Sequence, residues 1–162
     1  IKGSGERLVP LGSFSNYPQI ATDSIYVGER HSSPYSCTQL KNAMFTIFVR
    51  EGVAKRLAKA AELLPPGHML LVWDAYRPLT VQQGLFDYYV GVLKSKGVAH
   101  DQAVVEAQLF VSIPSNDSTK PPPHNTGGAV DITVIRFSEK NWRKMEQLTK
   151  IVRMPETSKN WM

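Results

Sequence analysis

The chain reads as an α+β fold, with a small central, mainly antiparallel sheet and helices packed on one side. Three observations predict it. Residues 69–73 and 129–135 are apolar runs with the length and bounding turns of strands. Residues 51–64 and 81–92 repeat apolar side chains at helical spacing. No regular alternation of strand and helix joins these segments, which argues against a doubly wound parallel sheet.

The elements follow in order. Residues 1–40 are rich in Gly, Ser, Pro and Tyr and read as an irregular region with one or two short strands. Val53, Leu57, Ala60, Ala61 and Leu64 give one helix its apolar face, and Pro65, Pro66 and Gly67 stop it. Met69 to Trp73 is a short continuous apolar run, as in a buried strand, and Asp74-Ala75-Tyr76-Arg77-Pro78 leaves its end. Thr80 and Gln83 have the spacing of a capping box. The helix after them is expected to bury Val81, Leu85, Tyr88, Tyr89 and Val92, and to end at Gly97. Asp101 to Phe110 reads as a shorter helix. Residues 112–123 form a Pro/Ser-rich loop whose Pro121-Pro122-Pro123 is stiff and extended. Gly127 and Gly128 permit a close backbone approach. From Ala129 to Ile135 the pattern alternates, with Val130, Ile132 and Val134 expected on the core face and Asp131 on the other.

At 162 residues the simplest organisation is one domain spanning residues 1–162. No apolar run approaches the ~20 residues that span a bilayer. The net charge is +5, and residues 136–162 hold seven Lys/Arg against three Glu. These charges are interleaved with Trp142, Met145, Leu148 and Ile151, which is the pattern of a solvated amphipathic helix rather than a nucleic-acid arm. The lone Cys37 excludes an intramolecular disulfide and a thiolate zinc cluster, and is expected to be a half-buried thiol. The first residue is Ile1, so a removed export signal is compatible with the chain, and compartment stays open between cell envelope and cytoplasm.

Chemistry concentrates in Pro122-Pro123-His124-Asn125-Thr126-Gly127-Gly128-Ala129-Val130-Asp131. An imidazole on a loop and a carboxylate on the following strand can converge on one zinc ion if the Gly-Gly turn folds the loop back. A surface His and a capping Asp share the same spacing. Arg77, after the buried strand, could pair with Asp74 or another carboxylate. Alternatively its rigid fork of donors could bind a carboxylate or a developing oxyanion. His31, His68 and His100 have no such context. Patterns for a nucleophile elbow, a P-loop, a dinucleotide fold or an H-E-x-x-H zinc helix are absent from the sequence.

Two segments taken together resemble a known family. Val72-Trp73-Asp74-Ala75-Tyr76-Arg77-Pro78 and, about fifty residues later, His124 through Thr133 look like the D-alanyl-D-alanine dipeptidases of the VanX type. These are zinc peptidases related to D,D-carboxypeptidases and to the hedgehog signalling domain. The resemblance covers roughly residues 45–135. It implies that His124 and Asp131 are two ligands of Zn2+ and that Arg77 stabilises charge on the attacked carbonyl oxygen. It implies hydrolysis of D-Ala-D-Ala or a similar small cell-wall peptide in a bacterium. The family completes its site with a Glu and a second His in an E-W-W-H type segment, and no such segment is present in residues 1–162. The expectation is therefore a domain that is incomplete at its C-terminus and a poor catalyst by itself. Pro122 stands where the family usually carries a Ser, which concerns the loop more than the metal. The resemblance leaves two other readings open: an inactive homologue that binds a peptide or partner, and a related D,D-carboxypeptidase or peptidoglycan endopeptidase.

Overall fold

The structure, a computed structural model, describes residues 5–12, 15–17, 19–27 and 40–144. Cys37, His31 and the segment carrying Met145, Leu148 and Ile151 lie outside these residues. The element order is β1 (Leu8–Pro10), β2 (Ile20–Thr22), β3 (Phe48–Arg50), α1 (Glu51–Glu62), β4 (His68–Asp74), α2 (Leu79–Ser95), α3 (His100–Ala107), a 3-10 turn (Pro123–Thr126) and β5 (Asp131–Arg136). The α+β class is as expected. The strands form two small sheets rather than one: β1 pairs antiparallel with β3, while β4 lies between parallel β2 and antiparallel β5.

α1 forms where the sequence places it, because Ala54 and Leu57 meet the strands and Val53, Ala61 and Leu64 flank them. They pack with Ile20, Val49, Leu70 and Val72, three of which are fully buried. Burying a side chain of this kind contributes ~1.5–3 kcal/mol. Gly67, at φ +79°, turns the chain from α1 into β4. A second apolar cluster lies between α2 and α3, built from Val81, Leu85, Phe86, Val90, Ala103 and Ala107. Four residues, Ala75 to Pro78, join the end of β4 to the start of α2. Among the described residues, no helix is long and apolar enough to cross a membrane.

Three local expectations need correction. The capping box does not form: α2 begins at Leu79 with Pro78 as N-cap and no side-chain cap. Proline fixes the entry torsion (φ −55°), and its carbonyl accepts from the Val81 and Gln82 amides, both at 3.0 Å. Thr80 is thereby inside the helix, accepting from Asn42, and Gln83 donates to Asp87 instead. The buried face of α2 is also rotated, to Val81, Gln82, Leu85, Phe86 and Val90, leaving Tyr88, Tyr89 and Val92 half-buried. Finally, the alternating face of the last strand is not core throughout. Val130 packs on the first cluster, but Ile132 is 46% and Val134 50% exposed. Among the described residues β5 is an edge strand paired only with β4, and its Ile132 and Val134 face solvent.

Candidate metal centre

The site is assembled where β4 ends. Asp74 is its last residue, and the chain leaves through Ala75, Tyr76 and Arg77. The Tyr76 amide donates to Phe48 O at 2.8 Å, fixing this exit against β3. After α3 and the Pro/Ser-rich loop, the 3-10 turn brings His124 back alongside. The Arg77 amide donates to His124 O at 3.1 Å, and Asn125 Nδ2 donates to Arg77 O. From the other side, the Arg50 amide and its Nε donate to Gly127 O (2.9 Å) and Thr126 O (2.8 Å). Each such bond contributes ~0.5–1.5 kcal/mol net, and together they fix the height of the His124 turn. Gly127 ends that turn in the left-handed region (φ +71°), where a Cβ would lie 2.6 Å from Leu8 Cδ2. Both its torsion and its space require glycine. The antiparallel register of β4 and β5 then sets Asp131 opposite Asp74, with a shift between Val72 and Asp74.

His124 and Asp131, the two candidate ligands, are brought face to face. His124 Nδ1 lies 3.0 Å from the carbonyl oxygen of Ala75. A carbonyl only accepts, so the ring proton resides on Nδ1 and the lone pair of Nε2 is left for a metal. Nε2 is 3.8 Å from Asp131 Oδ1. Two ligand atoms ~2.0–2.2 Å from one tetrahedral ion stand roughly 3.3–3.5 Å apart. The observed pair is therefore within a few tenths of an ångström of chelating geometry. The donor set, one imidazole and one carboxylate, is the kind zinc accepts. The Asp131 side chain is 57% exposed and that of His124 18%, so the pair opens to solvent on the carboxylate side.

Asp74 is a third carboxylate in reach: Asp74, His124 and Asp131 each offer a ligand atom within 4.8 Å of the others. Its bonding assigns it a different part. Asp74 Oδ2 accepts from the Tyr26 hydroxyl at 2.6 Å and from Arg77 Nε at 3.1 Å and Nη2. It lies 3.4 Å from His124 Nδ1, the protonated side of the ring. Asp74 therefore backs the imidazole, as carboxylates behind metal-bound histidines commonly do.

Arg77 is buried, with its guanidinium spanning two partners. Asp74 holds the Nε–Nη2 edge, and Gln82 Oε1 accepts from Nη1 at 2.7 Å. The Tyr26 ring lies 5.2 Å beneath its Cζ, a cation–π distance. Of the two partners the sequence leaves open for Arg77, Asp74 is the one it holds. Gln82 and Tyr26 were invisible to sequence reasoning. Tyr26 lies 48 residues from Asp74 in a segment without periodicity, and the capping-box spacing directs attention to Gln83 instead. His68 sits at the far end of β4 and His100 begins α3, both away from the pair.

Comparison with known proteins assigns the chain to a family. A family model described as D-ala-D-ala dipeptidase matches residues 19–150. A curated D-alanyl-D-alanine dipeptidase from Synechocystis sp. is 30% identical over 152 residues, covering 83% of this chain and 56% of that protein. The chain thus spans little more than half the length of that relative. A crystal structure of a mutant vancomycin-resistance D,D-pentapeptidase VanY, from a VanB-type resistance cassette and in complex with Zn(II), superposes with a TM-score of 0.43. It is 24% identical, over 65% of this chain and 59% of that one. With the family match running from β2 past β5 and taking in Tyr26, Asp74, Arg77, His124 and Asp131, the chain belongs to the D-Ala-D-Ala dipeptidase family.

Proposed function

We propose that this chain carries the metal-binding part of a zinc peptidase that hydrolyses D-Ala-D-Ala or a similarly small cell-wall peptide. The observation that supports it most is the lone pair of His124 Nε2 facing Asp131 Oδ1 across 3.8 Å. His124 and Asp131 would hold the ion between them. When bound, zinc supplies an acidified water and polarises a scissile carbonyl. The remaining work belongs to the protein. The Ala75 carbonyl keeps the proton on Nδ1, so Nε2 stays a donor of its lone pair to the metal. Asp74 pairs with and fixes the Arg77 guanidinium, and the Arg77 amide is bonded to the His124 carbonyl, so the cationic fork is anchored to the segment that carries the metal pair. That charge suits the oxyanion that develops on an attacked peptide carbonyl, and positioned charges of this kind contribute more inside a protein than in water. The family resemblance also implies a further His ligand and a Glu that handles the water's proton; residues 1–162 contain no E-W-W-H type segment that would supply them.

The test is hydrolysis of D-Ala-D-Ala by the natural protein at full length. Activity should vanish on chelation and return with Zn2+. Arg77→Ala should depress kcat far more than zinc content. A protein that holds one zinc per chain but cleaves only longer peptides would move the assignment to a carboxypeptidase or endopeptidase. One that holds no zinc would favour a binding module.

A further inference from the structure

We propose that Gln82 is a positioning residue that sets the orientation of the Arg77 guanidinium and couples it to the loop carrying His124. The inference rests on the proposed function only in taking Arg77 to act on the substrate.

Gln82 is 1% exposed, on the face of α2 that otherwise buries Val81, Leu85 and Phe86. Packing alone would favour a leucine or methionine there, since a buried amide is costly unless both its ends are bonded. Both ends are bonded. Oε1 accepts from Arg77 Nη1 at 2.7 Å, and Nε2 donates to the carbonyl of Ser112 at 2.6 Å. Chemistry fixes which end is which: a guanidinium only donates and a carbonyl only accepts, so the flipped amide would lose both bonds. Asp74 grips the opposite edge of the same guanidinium. Arg77 is therefore held in its plane from two sides, by a carboxylate at the end of β4 and an amide at the end of the first turn of α2. Ser112 opens the stretch that runs from α3 to the His124 turn, so the same amide joins the helical pair to the approach of the metal-bearing segment.

Loss of an ordinary buried residue would lower stability without moving Arg77, whereas loss of Gln82 should move it. In the zinc-loaded protein at its natural length, Gln82→Met should lower kcat for D-Ala-D-Ala by about 100-fold, the scale of a roughly 1 Å misplacement. KM and zinc content should stay within about threefold. Gln82→Glu keeps an acceptor for Nη1 but turns a second acceptor toward the Ser112 carbonyl, so it should recover kcat only partly, to within about tenfold of the parent. A second readout needs neither metal nor substrate. In the 15N-labelled protein the Arg77 Nη–H signals, assigned by their loss in Arg77→Lys, should be resolved, and Gln82→Met should collapse them. The proposal is overturned if Gln82→Met keeps parental kcat, if kcat falls only in step with zinc or folded fraction, or if the Nη signals are indifferent to residue 82. A parent protein that hydrolyses no D-Ala-D-Ala would defeat the proposed function instead, and the Nη signals would still decide whether Gln82 holds Arg77.

Discussion

Replacing Asp74 by alanine should damage the fold as well as the site, and the size of the loss can be worked from the structure. The Asp74 side chain is 4% exposed and that of Arg77 10%, so water can screen neither charge effectively. Truncating Asp74 removes the carboxylate that faces the buried guanidinium, leaving the neutral Gln82 amide on its other edge, and takes away an acceptor of the Tyr26 hydroxyl. Breaking a buried ion pair by removing one partner costs ~3–5 kcal/mol. The Tyr26 bond overlaps with that figure rather than adding to it. In a chain of this size each kcal/mol lowers Tm by ~2–4 °C, so Asp74→Ala should melt roughly 10 °C below the parent. Urea denaturation followed by far-UV circular dichroism measures the loss directly. The double variant Asp74→Ala/Arg77→Met removes both charges and should regain part of it, because the penalty lies mainly in burying a cation that has lost its carboxylate. A loss under ~1 kcal/mol, or a double variant that is merely additive, would refute the buried-pair argument.

Two further outcomes concern the His124 turn and the surface of α1. Gly127→Ala places a methyl on Leu8 at a left-handed residue, and should destabilise by ~2–4 kcal/mol in the same denaturation assay. Adding Leu8→Ala should relieve the clash but not the torsional part. At the protein surface, hydrogen bonding from Arg7, and then from Lys55, holds the Glu51 carboxyl below its ordinary value. A lowered folded pKa stabilises above the ordinary carboxylate range and loses that effect as pH falls through the folded value. The parent should therefore be slightly more stable than Glu51→Gln at neutral pH and converge with it in acid; a gap that persists at low pH would contradict the pairing.

Much of the scaffold was legible because it rests on local pattern. α1 and β4 carry their periods and their stops within about ten residues, and the Gly127 turn announces itself by composition. The H-x6-D spacing and the W-D-x-Y-R-P element named the family correctly, and the chain's match to the dipeptidase family model bears this out. What stayed hidden depends on contacts distant in sequence. β3 is only three residues long and exists because Leu8 to Pro10 lies beside it. Tyr26 and Gln82 have no local signature, since their roles come from Asp74, Arg77 and Ser112. The capping box failed for the opposite reason: Pro78 overrode a good local motif by starting the helix earlier. Ile132 and Val134 show that alternation predicts a face without saying what covers it.

The central claim is that one divalent ion is shared by His124 and Asp131, and zinc titration tests it most directly. Wild-type protein at natural length should take up one Zn2+ per chain, with an imidazole ligand visible in X-ray absorption. His124→Ala and Asp131→Ala should each weaken uptake by at least about 100-fold, while Arg77→Ala leaves it within about threefold, as expected for direct ligands against a neighbour. Zinc bound equally well by His124→Ala or Asp131→Ala would contradict the account.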